Sequence, residues 1–151
     1  MGAALIGSKE LVQIFLDNSR PNVNAKNKNG LSVLHVAVHD TSEEAITADQ
    51  ADVVKLLLEH GADVNAQDKD NEGETPLMTA ITRRIGAVSK RDPDRRADYV
   101  DKLIPVIKVL LADPKIEINR RDREGRTVLG YAEMAGAKKV TQLLKSHGAK
   151  E

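Results

Sequence analysis

The chain has 151 residues, enough for one domain or one short array that buries roughly two thirds of its unfolded surface. Lys plus Arg and Asp plus Glu both number 23, so no overall field draws the molecule toward nucleic acid or an anionic membrane. The absence of Cys excludes disulfides, thiol nucleophiles and Cys-ligated metals, and with only Phe15, Tyr99 and Tyr131 as aromatics the core must be built from Leu, Val, Ile and Ala.

The opening segment Met1-Gly2-Ala3-Ala4-Leu5-Ile6 has no basic region or long apolar run and does not read as a secretory signal. Gly2 invites myristoylation, but Ile6 stands where a Ser or Thr is expected. No window approaches 18 apolar residues. An intracellular, cytoplasmic location is the expectation, with a nuclear or secreted-effector location left open. Leu11-Val12-Gln13-Ile14-Phe15-Leu16 then predicts a helix, followed by the punctuation Asn22-Val23-Asn24-Ala25.

Three longer units follow. Gly30-Leu31-Ser32-Val33-Leu34-His35-Val36-Ala37, Gly73-Glu74-Thr75-Pro76-Leu77-Met78-Thr79-Ala80 and Gly125-Arg126-Thr127-Val128-Leu129-Gly130-Tyr131-Ala132 share one pattern. Each glycine suits a tight turn with positive φ. Ser32, Thr75 and Thr127 offer a hydroxyl to the orphan amides that open a helix, and Pro76 takes the first helical position. A second apolar segment follows each: Val53–Leu58, Val106–Leu111 and Val140–Leu144, with helical i, i+3, i+4 spacing. Gly61 and Gly148 read as left-handed caps, and Asp113-Pro114 as a different stop. Val64-Asn65 and Ile118-Asn119 read as the extended start of the next unit.

This pattern resembles the ankyrin repeat, with its T-P-L-H-x-A signature. Thr75-Pro76-Leu77 and Gly61-Ala62-Asp63-Val64-Asn65-Ala66 match it closely. The resemblance implies an all-α solenoid of stacked helix-turn-helix units with short β-turn or hairpin fingers. The expected division is a partial repeat over 1–26, a repeat over 27–67, a third over 68–119 and a capping repeat over 120–151. Gly30 and Gly73 lie 43 residues apart and Gly73 and Gly125 52 apart, against a period of about 33. The excess falls at about residues 40–50 and 84–101. His35 keeps the motif histidine, whereas Met78 and Gly130 replace it.

In the first insertion Thr41 and Glu44 have capping-box spacing. In the second, Asp92-Pro93 is an N-cap followed by Pro, so the outer helix is expected to begin near Pro93. Pro105 must then kink that helix or start a new one. Asp40, Glu43, Glu44, Asp49 and Asp52 oppose Arg83, Arg84, Lys90, Arg91, Arg95 and Arg96. The two insertions are expected to face one another, although surface pairs contribute only about 0–1 kcal/mol each.

Nothing in the sequence assembles a catalytic or metal site. His35 is expected to be bonded to backbone or to a cap hydroxyl. His60 and His147 suit helix C-termini, and the His35/His39 spacing is weak evidence for a metal. No serine has a nucleophile elbow, and no phosphate loop or cofactor motif appears. Arg83–Arg96 and Arg120-Arg121-Asp122-Arg123 could touch phosphates, but interleaved acids and scarce aromatics favour a solvated face.

The resemblance implies a monomeric, non-catalytic protein-binding module, an adaptor or scaffold, or alternatively a dedicated inhibitor of one enzyme. Specificity is expected where packing leaves positions free. On the fingers these are Lys28, Asn29, Asn71, Glu72, Arg123 and Glu124. Beside the turn glycines they are Leu31, Glu74 and Arg126. At the inner-helix ends they are His39, Asp40, Thr82, Arg83 and Met134, with Leu5 and Ile6 in the partial repeat. An apolar patch rimmed by charge is what an interface core looks like.

Overall fold

Three hydroxyls open three of the helices. The backbone amides of His35, Met78 and Gly130 donate to the side-chain oxygens of Ser32, Thr75 and Thr127. The computed structural model describes residues 4, 8–19, 21–39, 48–69, 72–88 and 100–151. Among them lie seven helices: α1 (Lys9–Ser19), α2 (Val33–Val38), α3 (Ala48–Glu59), α4 (Pro76–Val88), α5 (Ile104–Leu111), α6 (Val128–Met134) and α7 (Lys138–Ser146). Strand-like pairing among the described residues is confined to one antiparallel bridge, Arg121 with Thr127.

The helices form two rows. α2, α4 and α6 stack on one another as the inner row, and α1, α3 and α5 as the outer row. α2 packs on α3, α4 on α5 and α6 on α7, so the chain is an all-α solenoid of helical hairpins. The core repeats with the sequence. Leu34, Leu77 and Leu129 are buried at one motif position, Ala37, Ala80 and Ala132 at a second. In the outer row Val53 and Val106, then Leu57 and Leu110, are buried at matching positions. Val140 and Leu144 continue both series in α7. Burying each such Leu or Val contributes about 1.5–3 kcal/mol, and the alanines let neighbouring helices approach.

Pro105 starts a helix rather than kinking one. Val100 and Asp101 are helical, Lys102 and Leu103 form a turn, and α5 then begins at Ile104. Pro105 is its second residue, where the missing N–H falls among amides that have no intrahelical acceptor. The expected start near Pro93, the Thr41–Glu44 capping box and the facing of the two charged insertions lie outside the described residues.

Successive units are pinned by an asparagine in each connecting segment. Asn24 donates to the Gly61 carbonyl at 3.0 Å and accepts from the Asp63 amide at 2.8 Å. Asn65 does the same with Lys115 (2.7 Å) and Glu117 (2.8 Å), and Asn119 with Gly148 (3.1 Å) and Lys150 (2.7 Å). Each side chain thus stands in for a strand partner to the backbone of the next unit. The two ends of the stack differ. α7 turns Lys138, Lys139, Gln142 and Lys145 to solvent, whereas α1 exposes Leu11, Ile14 and Phe15. Beside α1 an apolar cleft of about 280 Å³ is lined by Ala4, Val12, Phe15, Leu16, Val23, Val33 and Leu57.

Candidate functional site

The fingers are turns closed around an Asx side chain. Asn27 Oδ1 accepts the Asn29 and Leu31 amides at 2.9 and 3.0 Å. Asp122 Oδ1 accepts the Glu124 and Arg126 amides, both at 2.9 Å. Asp68 Oδ1 accepts the Gly73 amide at 3.1 Å. This middle finger is longer, because Asp68 and Gly73 are five residues apart where the other Asx–Gly pairs are three apart. Gly30, Gly73 and Gly125 have φ of +71°, +78° and +79°, which a residue with a Cβ adopts only at a cost. Glu72 nevertheless has φ +61°, and its carbonyl accepts the Arg123 amide of the next finger at 2.6 Å.

His35 joins one unit to the next. The Ser32 amide donates to Nδ1 at 3.3 Å, so Nε2 carries the proton and donates to the Glu74 carbonyl at 3.0 Å. The motif histidine is therefore a buried bridge to backbone and cap, as its place in the sequence implied.

Arg126 is the hub of the last finger. Its Nε donates to Asp122 Oδ2 at 3.0 Å, NH1 pairs with Glu124 at 2.7 Å and NH2 with Glu72. The guanidinium lies over the Tyr131 ring, 4.9 Å from its centre. Tyr131 Oη donates to Asp122 Oδ2 at 2.5 Å. Burial alone would raise the Asp122 carboxyl, but the hydrogen bonds from Tyr131 and Arg126 outweigh it and hold the group below its ordinary value. Burial, reinforced by the Asp122 acceptor, pushes the Tyr131 hydroxyl well above its ordinary range.

The expected contact positions separate on this frame. Lys28, Asn29, Arg123 and Glu124 are exposed on the fingers, and Met134 is 67% exposed at the end of α6. Leu31 and His39 are half-buried. Glu72 is exposed but holds Arg126, which is itself half-buried. Glu74 departs from the expectation of a free position. It is buried, and its Oε2 accepts the Thr79 and Thr82 hydroxyls at 3.0 and 2.9 Å. The same bond occupies Thr82. The reason is the turn, which aims residue 74 back over the first turn of α4 rather than outward. Leu5, Ile6, Asp40, Asn71 and the side chain of Arg83 lie outside the described residues.

Sequence reasoning missed the asparagine pins and the exposed stripe of α1. The first had a signal, since Asn follows Val or Ile at the same point of every unit. The second had only apolar residues on too wide an arc of one helix. No helix among the described residues is long and apolar enough to cross a membrane.

A family model described as ankyrin repeats (3 copies) matches residues 1–90. The chain is 34% identical over 105 residues to Rabankyrin-5 of Homo sapiens, covering 70% of this chain and 7% of that protein. It is 26% identical over 149 residues to the nuclear factor NF-kappa-B p105 subunit of Gallus gallus, covering 97% and 12%. It is 36% identical over 77 residues to the B-cell lymphoma 3 protein of Homo sapiens, covering 49% and 15%. The chain therefore spans a small part of the length of each of these relatives.

Proposed function

The chain belongs to the ankyrin-repeat family, and on that premise we propose that it is an adaptor or scaffold that grips a partner protein with its finger tips and the exposed ends of its inner helices. Ankyrin repeats generally mediate protein–protein interaction as non-catalytic modules, and repeat stacks leave an extended surface that no unit buries. One observation carries the reading. Buried side chains and the asparagine pins hold the stack together, whereas Lys28, Asn29, Arg123 and Met134 are exposed. Selection for packing leaves those positions unconstrained, so they are available for recognition.

The test is affinity purification from native lysate with the full chain and with a variant carrying Arg123→Ala and Met134→Glu. The reading expects a protein retained by the first and depleted from the second. Equal retention by both would count against these surfaces. A single retained enzyme whose activity falls on binding would identify the module as an inhibitor rather than a scaffold.

A further inference from the structure

Eight asparagines are spread along the chain, and one of them, Asn29, precedes a glycine. The other seven precede Ser, Val, Ala, Lys, Glu or Arg. Six of those seven are described, and each has its side-chain amide committed. Asn18 Nδ2 donates to the Ile14 carbonyl at 2.8 Å, Asn22 Oδ1 accepts the Asn24 amide at 3.0 Å, Asn27 Oδ1 closes its finger, and Asn24, Asn65 and Asn119 pin successive units. Among the described asparagines Asn29 alone has a side chain that makes no hydrogen bond, and it is exposed at the tip of the first finger. Its backbone amide, not its side chain, donates to Asn27 Oδ1 at 2.9 Å. A free carboxamide thus stands beside the main-chain nitrogen of a residue with no Cβ to shield it.

We propose that Asn29–Gly30 is a site of spontaneous deamidation, paced by the opening of the finger, and that its isoaspartyl product lifts the first finger off the second. The Gly30 nitrogen attacks Asn29 Cγ. The N–Cγ bond forms, the Cγ–Nδ2 bond breaks, and ammonia leaves with the Gly30 amide proton, giving a cyclic succinimide. Water then opens one or the other carbonyl, to aspartate or to isoaspartate. In the closed finger the Gly30 amide donates to the Asn27 carbonyl at 2.9 Å, which ties up the proton that the nitrogen must lose. The reaction therefore waits for the turn to open, a local event that costs less than global unfolding. Isoaspartate puts one more carbon into the main chain ahead of Gly30. Gly30 is buried with φ +71°, and even a Cβ there would lie 2.6 and 2.7 Å from the Lys69 Cβ and backbone nitrogen. A longer main chain at this point is housed only by separating the two fingers. The chemistry is independent of what the tips bind.

The experiment incubates the full chain at mildly alkaline pH, folded and in urea, and maps the products by mass spectrometry with aspartyl and isoaspartyl peptides separated. Conversion should begin at Asn29 in both and run faster in urea. Asn27→Ala, which removes the acceptor of the Asn29 and Leu31 amides, should speed it about two- to ten-fold in the folded chain, the gain in open finger that lost hydrogen bonds of ordinary strength allow. First conversion at another asparagine overturns the site. Equal rates in the folded and the urea-unfolded chain, or in Asn27→Ala and wild type, overturn the pacing by the turn. The aged, isoaspartyl chain is then compared with Asn29→Asp, which has the new charge without the extra carbon. The isoaspartyl chain should melt at the lower temperature. Equal melting temperatures would assign any loss to charge and overturn the separation of the fingers.

Discussion

Asp122 is buried, and it is charged because its oxygens are fully used. Two backbone amides, the Tyr131 hydroxyl and the Arg126 guanidinium all donate to it. Its folded carboxyl titrates below the ordinary 3.8. A depressed carboxyl adds stability that is complete above the unfolded value and is lost as the pH falls through the folded one. The melting temperature of the wild type should therefore fall as the pH drops below 3.8. Asp122→Ala, which strands a buried hydroxyl and two amides, should cost about 2–3 kcal/mol at neutral pH and flatten that acid limb. Parallel acid limbs in thermal melts of the two proteins would show that the charge is not what the site uses. The Asx turn was legible from Asp122 and Gly125 alone. The Tyr131 bond was not, because it joins a finger to a helix nine residues on through a turn whose path only the fold specifies.

At the scale of the element, each finger has its own turn and a neighbour that limits it. Gly30 and Gly125 share positive φ, +71° and +79°, so Ala at either meets the left-handed penalty of about 1–2 kcal/mol. They differ in surroundings. A Cβ on Gly30 would meet the Lys69 backbone, whereas one on Gly125 would meet nothing within 4 Å. Gly125→Ala should therefore lose about 1–2 kcal/mol, and Gly30→Ala should lose roughly a further 1–3 kcal/mol from overpacking. Urea denaturation of the two variants is the check, and equal losses would mean that the fingers do not abut. The sequence marked both glycines as turn residues without ranking them. The ranking depends on an element 39 residues away, at Lys69.

In the whole molecule each unit leans only on its neighbours, as in other repeat arrays, so the ends decide where opening starts. α7 closes one end with lysines, two of which pair back to Asp101 and Glu133. α1 leaves Leu11, Ile14 and Phe15 46%, 58% and 48% exposed and rests on α3. Native-state hydrogen exchange should show the α1 amides opening at lower free energy than those of α5. Uniform protection across the two would indicate a single cooperative unit instead.

Local rules made much of this protein readable as a string. The hydroxyl caps, the turn glycines, the leucines of each hairpin and their order follow from short-range sterics and helical period, which act within a few residues and recur in every unit. Tertiary structure decided what those rules leave open. It turned Glu74 inward onto Thr79 and Thr82, made Asn24, Asn65 and Asn119 pins, and started α5 at Ile104 with Pro105 as its second residue. Those outcomes depend on where a neighbouring unit stands, tens of residues away along the chain, and no local propensity carries that distance.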